Sequence, residues 1–229
     1  MRELKKTLYN LRRKLFGKYE LDDPRPIAKS APYTFFLPIS ERLDAIETGD
    51  IVQLIFRSVS TGWEWGAERM WVQVTDVYDD KLKGVLDNDP FDIPQLKAGD
   101  EIEFQKWNVI DVQFHNQDKE KLYRLQSKQY WNRCIVDKCV LDGSKKVHLV
   151  YREEPDPAPE DDKYPDSGWR IRGDYRGLTD EELADRPISY IALGKVLNED
   201  DSWIHLIEKP IGDYWERNFD TNGYEFLPE

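Results

Sequence analysis

The chain holds 45 Asp and Glu, 33 Lys and Arg and 3 His in 229 residues. Carboxylates are therefore the abundant groups that could do chemistry. Asp87, Asp89 and Asp92 cluster around Pro90. A loop that converged their oxygens could hold a hard cation, but the spacing is also that of an ordinary acidic turn, which is the preferred reading. A second run contains Glu153, Glu154, Asp156, Glu160, Asp161 and Asp162. It is either a solvated charge run or a surface that steers a basic protein partner. His115, His148 and His205 each stand alone in their segments, and are read as structural or surface residues. Cys134 and Cys139 lack zinc-ligand spacing. If 134–141 is one strand, they face opposite sides, which argues against a disulfide between them. No nucleophile elbow, phosphate loop or dinucleotide fingerprint occurs. The expectation is a protein with no cofactor, no bound metal and no catalytic residues; a carboxylate-dependent enzyme is the third-ranked alternative.

The formal net charge of -12 repels nucleic-acid phosphates and suits either a basic partner or plain solubility. Aromatic residues are plentiful, with 8 Trp, 12 Tyr and 9 Phe. Trp63 and Trp65, beside Gly62 and Gly66, share strand parity. Such rings could stack on sugars, but core packing or a protein interface is preferred. The candidate partner-binding residues are Glu153, Glu154, Asp156, Asp161 and Asp162, with Trp169 flanking them if its ring is exposed.

These residues must be positioned by the elements around them. Residues 1–20 hold seven Lys or Arg and two Asp or Glu, a local net of +5 that leaves -17 for the rest. Leu4, Leu8, Leu11, Leu15 and Tyr19 recur at helical spacing, with the basic residues mostly off that stripe. A basic amphipathic helix of this kind either attaches to an anionic membrane or packs on its own domain through its basic face; the second is preferred. Residues 21–32, with three prolines, read as a linker. Residues 33–115 read as a strand-rich module, a curved antiparallel sheet or partial barrel, with Tyr78-Asp79-Asp80-Lys81 turning a hairpin and a short helix over 40–48. Residues 116–130 form a polar linker.

Residues 131–229 read as a mixed α+β module, so the fold class expected is α+β. Strands are predicted over 134–141, 147–151, 167–172, 188–197 and 224–227. Thr179 and Glu182 form a capping box, and Asp201 is placed to cap a helix over 202–208. No apolar signal core and no run near the roughly 18 apolar residues of a span is present. Two thiols in such a chain point to a reduced, cytoplasmic setting.

Motifs narrow the reading. Glu68-Arg69-Met70-Trp71-Val72-Gln73-Val74, Gly84-Val85-Leu86-Asp87-Asn88-Asp89-Pro90 and Leu96-Lys97-Ala98-Gly99-Asp100 resemble a bacterial domain-of-unknown-function family, number twenty-three fourteen, over about residues 50–112. The stretch Cys134–Leu141, Tyr151-Arg152-Glu153-Glu154-Pro155, Asp166-Ser167-Gly168-Trp169-Arg170, Pro210-Ile211-Gly212 and Trp215-Glu216-Arg217 resemble family twenty-one eighty-five, also grouped as immunity protein family thirty-three. That resemblance implies a bacterial protein that neutralises a toxin by binding it, and supplies no catalytic residues. A two-module adaptor holding two different proteins is the runner-up.

Overall fold

The structure is a computed structural model that describes residues 2–59, 65–124 and 128–228; Gly62 and Trp63 lie outside the described residues. The chain divides into two compact units, Met1–Ser30 with Phe35–Ser127, and Ala31–Thr34 with Lys128–Glu229.

The first unit is built on a nearly closed antiparallel sheet. Its strands are β1 (Tyr19–Leu21), β2 (Ile51–Ser58), β3 (Ala67–Tyr78), β4 (Lys81–Leu86), β5 (Glu101–Gln105) and β6 (Val109–Gln113). β2 pairs with β3 along one edge and with β1 and β6 along the other, while β3, β4 and β5 continue the sheet. A single 3-10 turn, Lys106–Asn108, joins β5 to β6. The alternation that predicted strands is realised as burial. Met70, Val72 and Val74 enter the core, whereas Gln73 and Thr75 face out. The predicted hairpin turn is present, with Asp79 in the left-handed region at φ 53°.

Around this sheet are α1 (Arg2–Phe16), α2 (Arg25–Ser30), α3 (Ser40–Asp44) and α4 (Gln117–Leu122). Three expectations change here. The first helix stops at Phe16, and Tyr19 instead packs against Phe56 from strand β1, with ring centroids 5.9 Å apart. The stretch expected as a linker holds a short helix: Pro26 falls in the first turn of α2, where a missing N–H costs nothing. The helix expected over 40–48 ends at Asp44, although Ile46 beyond it is buried in the core. Arg42, 6 % exposed, donates to the Tyr123 carbonyl at 2.9 Å and to the Glu120 carboxylate at 2.7 Å, which fastens α4 to this unit.

The second unit is a mixed six-stranded sheet. Its strands are β7 (Arg133–Asp137), β8 (Val147–Arg152), β9 (Asp166–Gly173), β10 (Ile188–Ala192), β11 (Tyr214–Arg217) and β12 (Tyr224–Leu227). The order is β10-β7-β9-β8-β11-β12, antiparallel except between β7 and β9. Helices α5 (Lys138–Leu141) and α7 (Leu193–Glu199) and the 3-10 turn Ile204–Leu206 pack on one face over Cys134, Val136, Val150, Trp169, Ile171 and Trp203. Helix α6 (Asp180–Ala184) opens on the expected capping box, with Glu182 N–H donating to Thr179 Oγ1 at 3.3 Å. Ala31–Thr34 joins this unit, where Tyr33 N–H donates to Asn198 Oδ1 at 2.9 Å.

Two strands expected here are each a strand running into a helix. The stretch 134–141 leaves the sheet at Asp137 and 188–197 leaves it at Ala192. Cys139 is thus on helix α5, not on the far face of a strand; both thiols are free. Asp201 caps no helix over 202–208, since only the turn Ile204–Leu206 forms before Pro210.

Candidate partner-binding surface

Because helices α5 and α7 occupy one face of the second sheet, alternate residues of every strand point to the other. Strand register aligns Tyr190 with Ile135, Ile135 with Arg170, Arg170 with Tyr151, Tyr151 with Tyr214, and Tyr214 with Leu227. This single row crosses all six strands. Tyr190 is 38 % and Leu227 36 % exposed, and Ile135, Tyr151 and Tyr214 are half-buried. The Tyr151 and Tyr214 rings stack with centroids 5.0 Å apart and planes only 5° from parallel. A cavity of about 310 Å³ opens beside them between Leu149, Tyr175, Tyr214 and Leu227. Half-exposed tyrosines held by neighbours lose little side-chain entropy when a partner covers them.

The acidic residues lie at the edge of this row. Arg170 is 3 % exposed and is the point to which the segment between β8 and β9 is fastened. Its guanidinium donates to Asp166 Oδ1 at 3.1 Å and Oδ2 at 2.9 Å, to Asp156 Oδ2 at 3.0 Å, and to the Glu153 carboxylate. Asp166 is itself fully buried and also accepts the Asp156 N–H at 2.8 Å. Burial opposes the charges of both partners, but their mutual hydrogen bonds outweigh it. The Arg170 pKa is raised and that of Asp166 lowered, so both are ionised. Gly168 lets the segment leave the strand pair. It has φ +79°, and a Cβ there would come within 2.2 Å of the Glu153 carbonyl oxygen.

The far end of the loop is held by Arg133, which donates to Asp162 Oδ2 at 2.6 Å and Oδ1 at 2.9 Å. That bond, helped by the Tyr164 N–H, lowers the Asp162 pKa. Glu154, Glu160 and Asp161 remain exposed. Seven carboxylates of residues 153–166 against Lys163, Arg133 and Arg170 leave a net of -4. The field reaches the tyrosines. After burial, Glu153 is the next cause raising the Tyr151 pKa, and Asp166 and Asp162 play the same part at Tyr190.

The structure therefore separates the five acidic candidates into three groups. Glu153 and Asp156 converge on Arg170, Asp162 is paired with Arg133, and Glu154 and Asp161 project outward. Trp169 does not flank them. It is 1 % exposed and packs against Trp203 at 5.5 Å on the helix-covered face, so its ring is not available to the acidic side. The aromatic contacts on the acidic side are Tyr151, Tyr190 and Tyr214, which sequence reasoning missed, together with Asp166, Arg133 and Arg170. The signal was present in strand β9: Trp169 and Ile171 alternate with Arg170 and Arg172, so arginines define the face opposite the core.

Among the other chemical candidates, His148, Asp89 and Asp92 have structural partners. His148 is 4 % exposed, with Nδ1 3.6 Å from Asp174 and Nε2 3.6 Å from Glu216, and stacks on Tyr175 at 4.2 Å. Sequence spacing could not show those carboxylates, which arrive from β11 and from the turn after β9. Burial lowers the His148 pKa and outweighs them. Asp137 is fully buried between Arg172 at 3.1 Å and Arg186 at 3.3 Å. In the first unit Asp89 accepts the Ala98 N–H at 2.9 Å, while Asp92 accepts from Arg13 at 3.0 Å and from the Trp65 N–H at 3.1 Å. Those acids stabilise turns and a helix contact, in line with the turn reading.

Comparison with known families divides the chain as its motifs suggested. The family model described as "Immunity protein Imm33 domain" matches residues 134–226, and the one described as "Uncharacterized protein conserved in bacteria (DUF2314)" matches residues 32–124. No curated protein and no solved structure matches the chain. No helix among the described residues is long and apolar enough to cross a membrane.

Proposed function

We propose that the protein is an immunity protein that binds a bacterial toxin in the cytoplasm and occludes it, without catalysing a reaction itself. The observation that carries this reading is the net-negative loop fastened by Arg170 beside a row of half-exposed tyrosines, within the region that matches the immunity domain. The loop supplies long-range attraction for a basic toxin surface, and the tyrosines supply contact area once the two meet. Glu154, Glu160 and Asp161 do the steering, because Glu153, Asp156 and Asp166 are already paired with Arg170 and Asp162 with Arg133.

The test is affinity purification of the tagged protein from its native cell, with mass spectrometry of what it retains. A basic toxin domain should co-purify, and should be lost when Glu154, Glu160 and Asp161 are changed to Lys and Tyr151 and Tyr214 to Ala. Retention of the same protein by that variant would overturn the assignment of the surface.

One observation favours the adaptor as a second reading. The first unit has its own core and a cleft of about 480 Å³ lined by Leu21, Tyr78, Lys81, Phe104 and Trp107. Tyr78 is 58 % and Trp107 39 % exposed. A second, unrelated protein held through this cleft would be the mark of an adaptor.

A further inference from the structure

Helix α1 lies outside both family matches and is docked the wrong way round for a helix that completes a core. Its inward face is polar. Arg13, 3 % exposed, reaches Asp92 Oδ1 at 3.0 Å and Ser58 Oγ at 2.7 Å, and Gln95 Nε2 donates to the Arg13 carbonyl at 3.1 Å. One turn earlier Tyr9 and Asn10 are half-buried, and Lys6 lies over the Phe91 ring at 4.8 Å. The opposite face carries the leucines, and it is open: Leu4 is 68 %, Leu8 61 %, Leu11 55 % and Leu15 66 % exposed. At 3.6 residues per turn the four leucines form one stripe nearly opposite Arg13. The expected amphipathic helix is thus present, and its basic side does touch an acidic neighbour. That contact turns the apolar stripe away from the unit.

The residues bordering the stripe decide what covers it. Lys5 and Arg12 lie along one side and Lys14 along the other, all exposed, and no acidic residue occurs between Leu4 and Phe16. The leucine spacing of four, three and four would also suit a two-stranded coil with a second copy of the helix. In that arrangement, however, both flanks would present like charges to each other, and the seam would be only two heptads long. An anionic bilayer surface meets the leucines with hydrocarbon and the flanking cations with phosphate, which is the pattern of a helix lying in the membrane interface.

We propose that α1 is a peripheral membrane-binding helix, held on the first unit by Arg13 and Asp92 so that Leu4, Leu8, Leu11 and Leu15 enter the surface of an anionic bilayer. One short helix without a lipid anchor binds reversibly. Each flanking cation contributes roughly fivefold to partitioning onto an anionic surface. The interaction is local, because the acidic remainder of the protein is screened beyond about 8 Å at physiological salt.

The test uses the full chain and sedimentation with sucrose-loaded vesicles of phosphatidylcholine alone or with one third phosphatidylglycerol. The protein should pellet with the anionic vesicles and about a hundredfold less with the neutral ones. Changing Lys5, Arg12 and Lys14 to Glu should lower anionic binding by at least a hundredfold. Leu8→Asp with Leu11→Asp should abolish it; both positions are exposed, so an unchanged thermal unfolding curve verifies that the variant is folded. No uptake by anionic vesicles would overturn the proposal. So would uptake unaffected by Leu8→Asp with Leu11→Asp, or a dimer in analytical ultracentrifugation that these two changes dissociate.

Discussion

Replacing Arg170 by Met tests the centre of the proposed surface. The perturbation removes the guanidinium bonded to Asp166, whose side chain is fully buried and keeps only backbone partners among the described residues, the Asp156 N–H at 2.8 Å and the Gly168 N–H. The bonds to Glu153 and Asp156 add little, because those carboxylates are 47 % and 68 % exposed and water replaces the lost partner. The cost is thus dominated by one stranded buried charge, about 3–5 kcal/mol. For a unit of this size that lowers the melting temperature by on the order of 15–30 °C. Urea unfolding followed by tryptophan fluorescence reads it, since Trp169 and Trp203 pack against each other inside the same core. Asp166→Asn added to Arg170→Met removes the stranded charge and should recover at least about 2 kcal/mol in a double-mutant cycle. A loss below about 1 kcal/mol for the single variant, or a double variant no more stable than the single, would refute the reasoning.

Reversing Glu154, Glu160 and Asp161 to Lys should leave thermal stability unchanged and slow association with the purified partner, most at low salt; stopped-flow rates equal to those of the wild type would remove the loop from the mechanism. Gly168→Ala should destabilise the second unit by about 2 kcal/mol or more, because its φ is +79° and the new methyl group would strike the Glu153 carbonyl; a calorimetric transition within 1–2 °C of the wild type would contradict this. His148 is held below its ordinary pKa by burial, so the unfolded chain binds its proton more readily. Stability should therefore fall as pH drops below about 6.5, and His148→Gln should flatten that slope; equal slopes in wild type and variant would show that the histidine plays no part.

The sequence by itself determined what depends on local periodicity and turn chemistry. The α+β class, the alternating strand around Met70–Val74, the hairpin turn at Asp79 and the capping box at Thr179 each follow from residues within a few positions of one another. So does the amphipathic first helix, although its apolar repeat ran past its end: Tyr19 continues the spacing but belongs to a strand. Strand length was misread at 134–141 and 188–197 because a short apolar run serves equally as strand or buried helix, and only packing in three dimensions makes the chain turn at Asp137 and Ala192. Sequence also marked the acidic loop, since charge is a property of composition. What only the tertiary structure decided is which of those charges are free. Arg170 and Asp166 are four residues apart in sequence, but Glu153, Asp156 and Arg133 come from other segments. The row from Tyr190 to Leu227 draws on six strands and has no linear signature. The same holds for Trp169, whose ring the strand's parity turns into the core, and for α1. Its stripe was legible in the sequence, but the direction it faces was settled by a buried ion pair spanning residues 13 and 92.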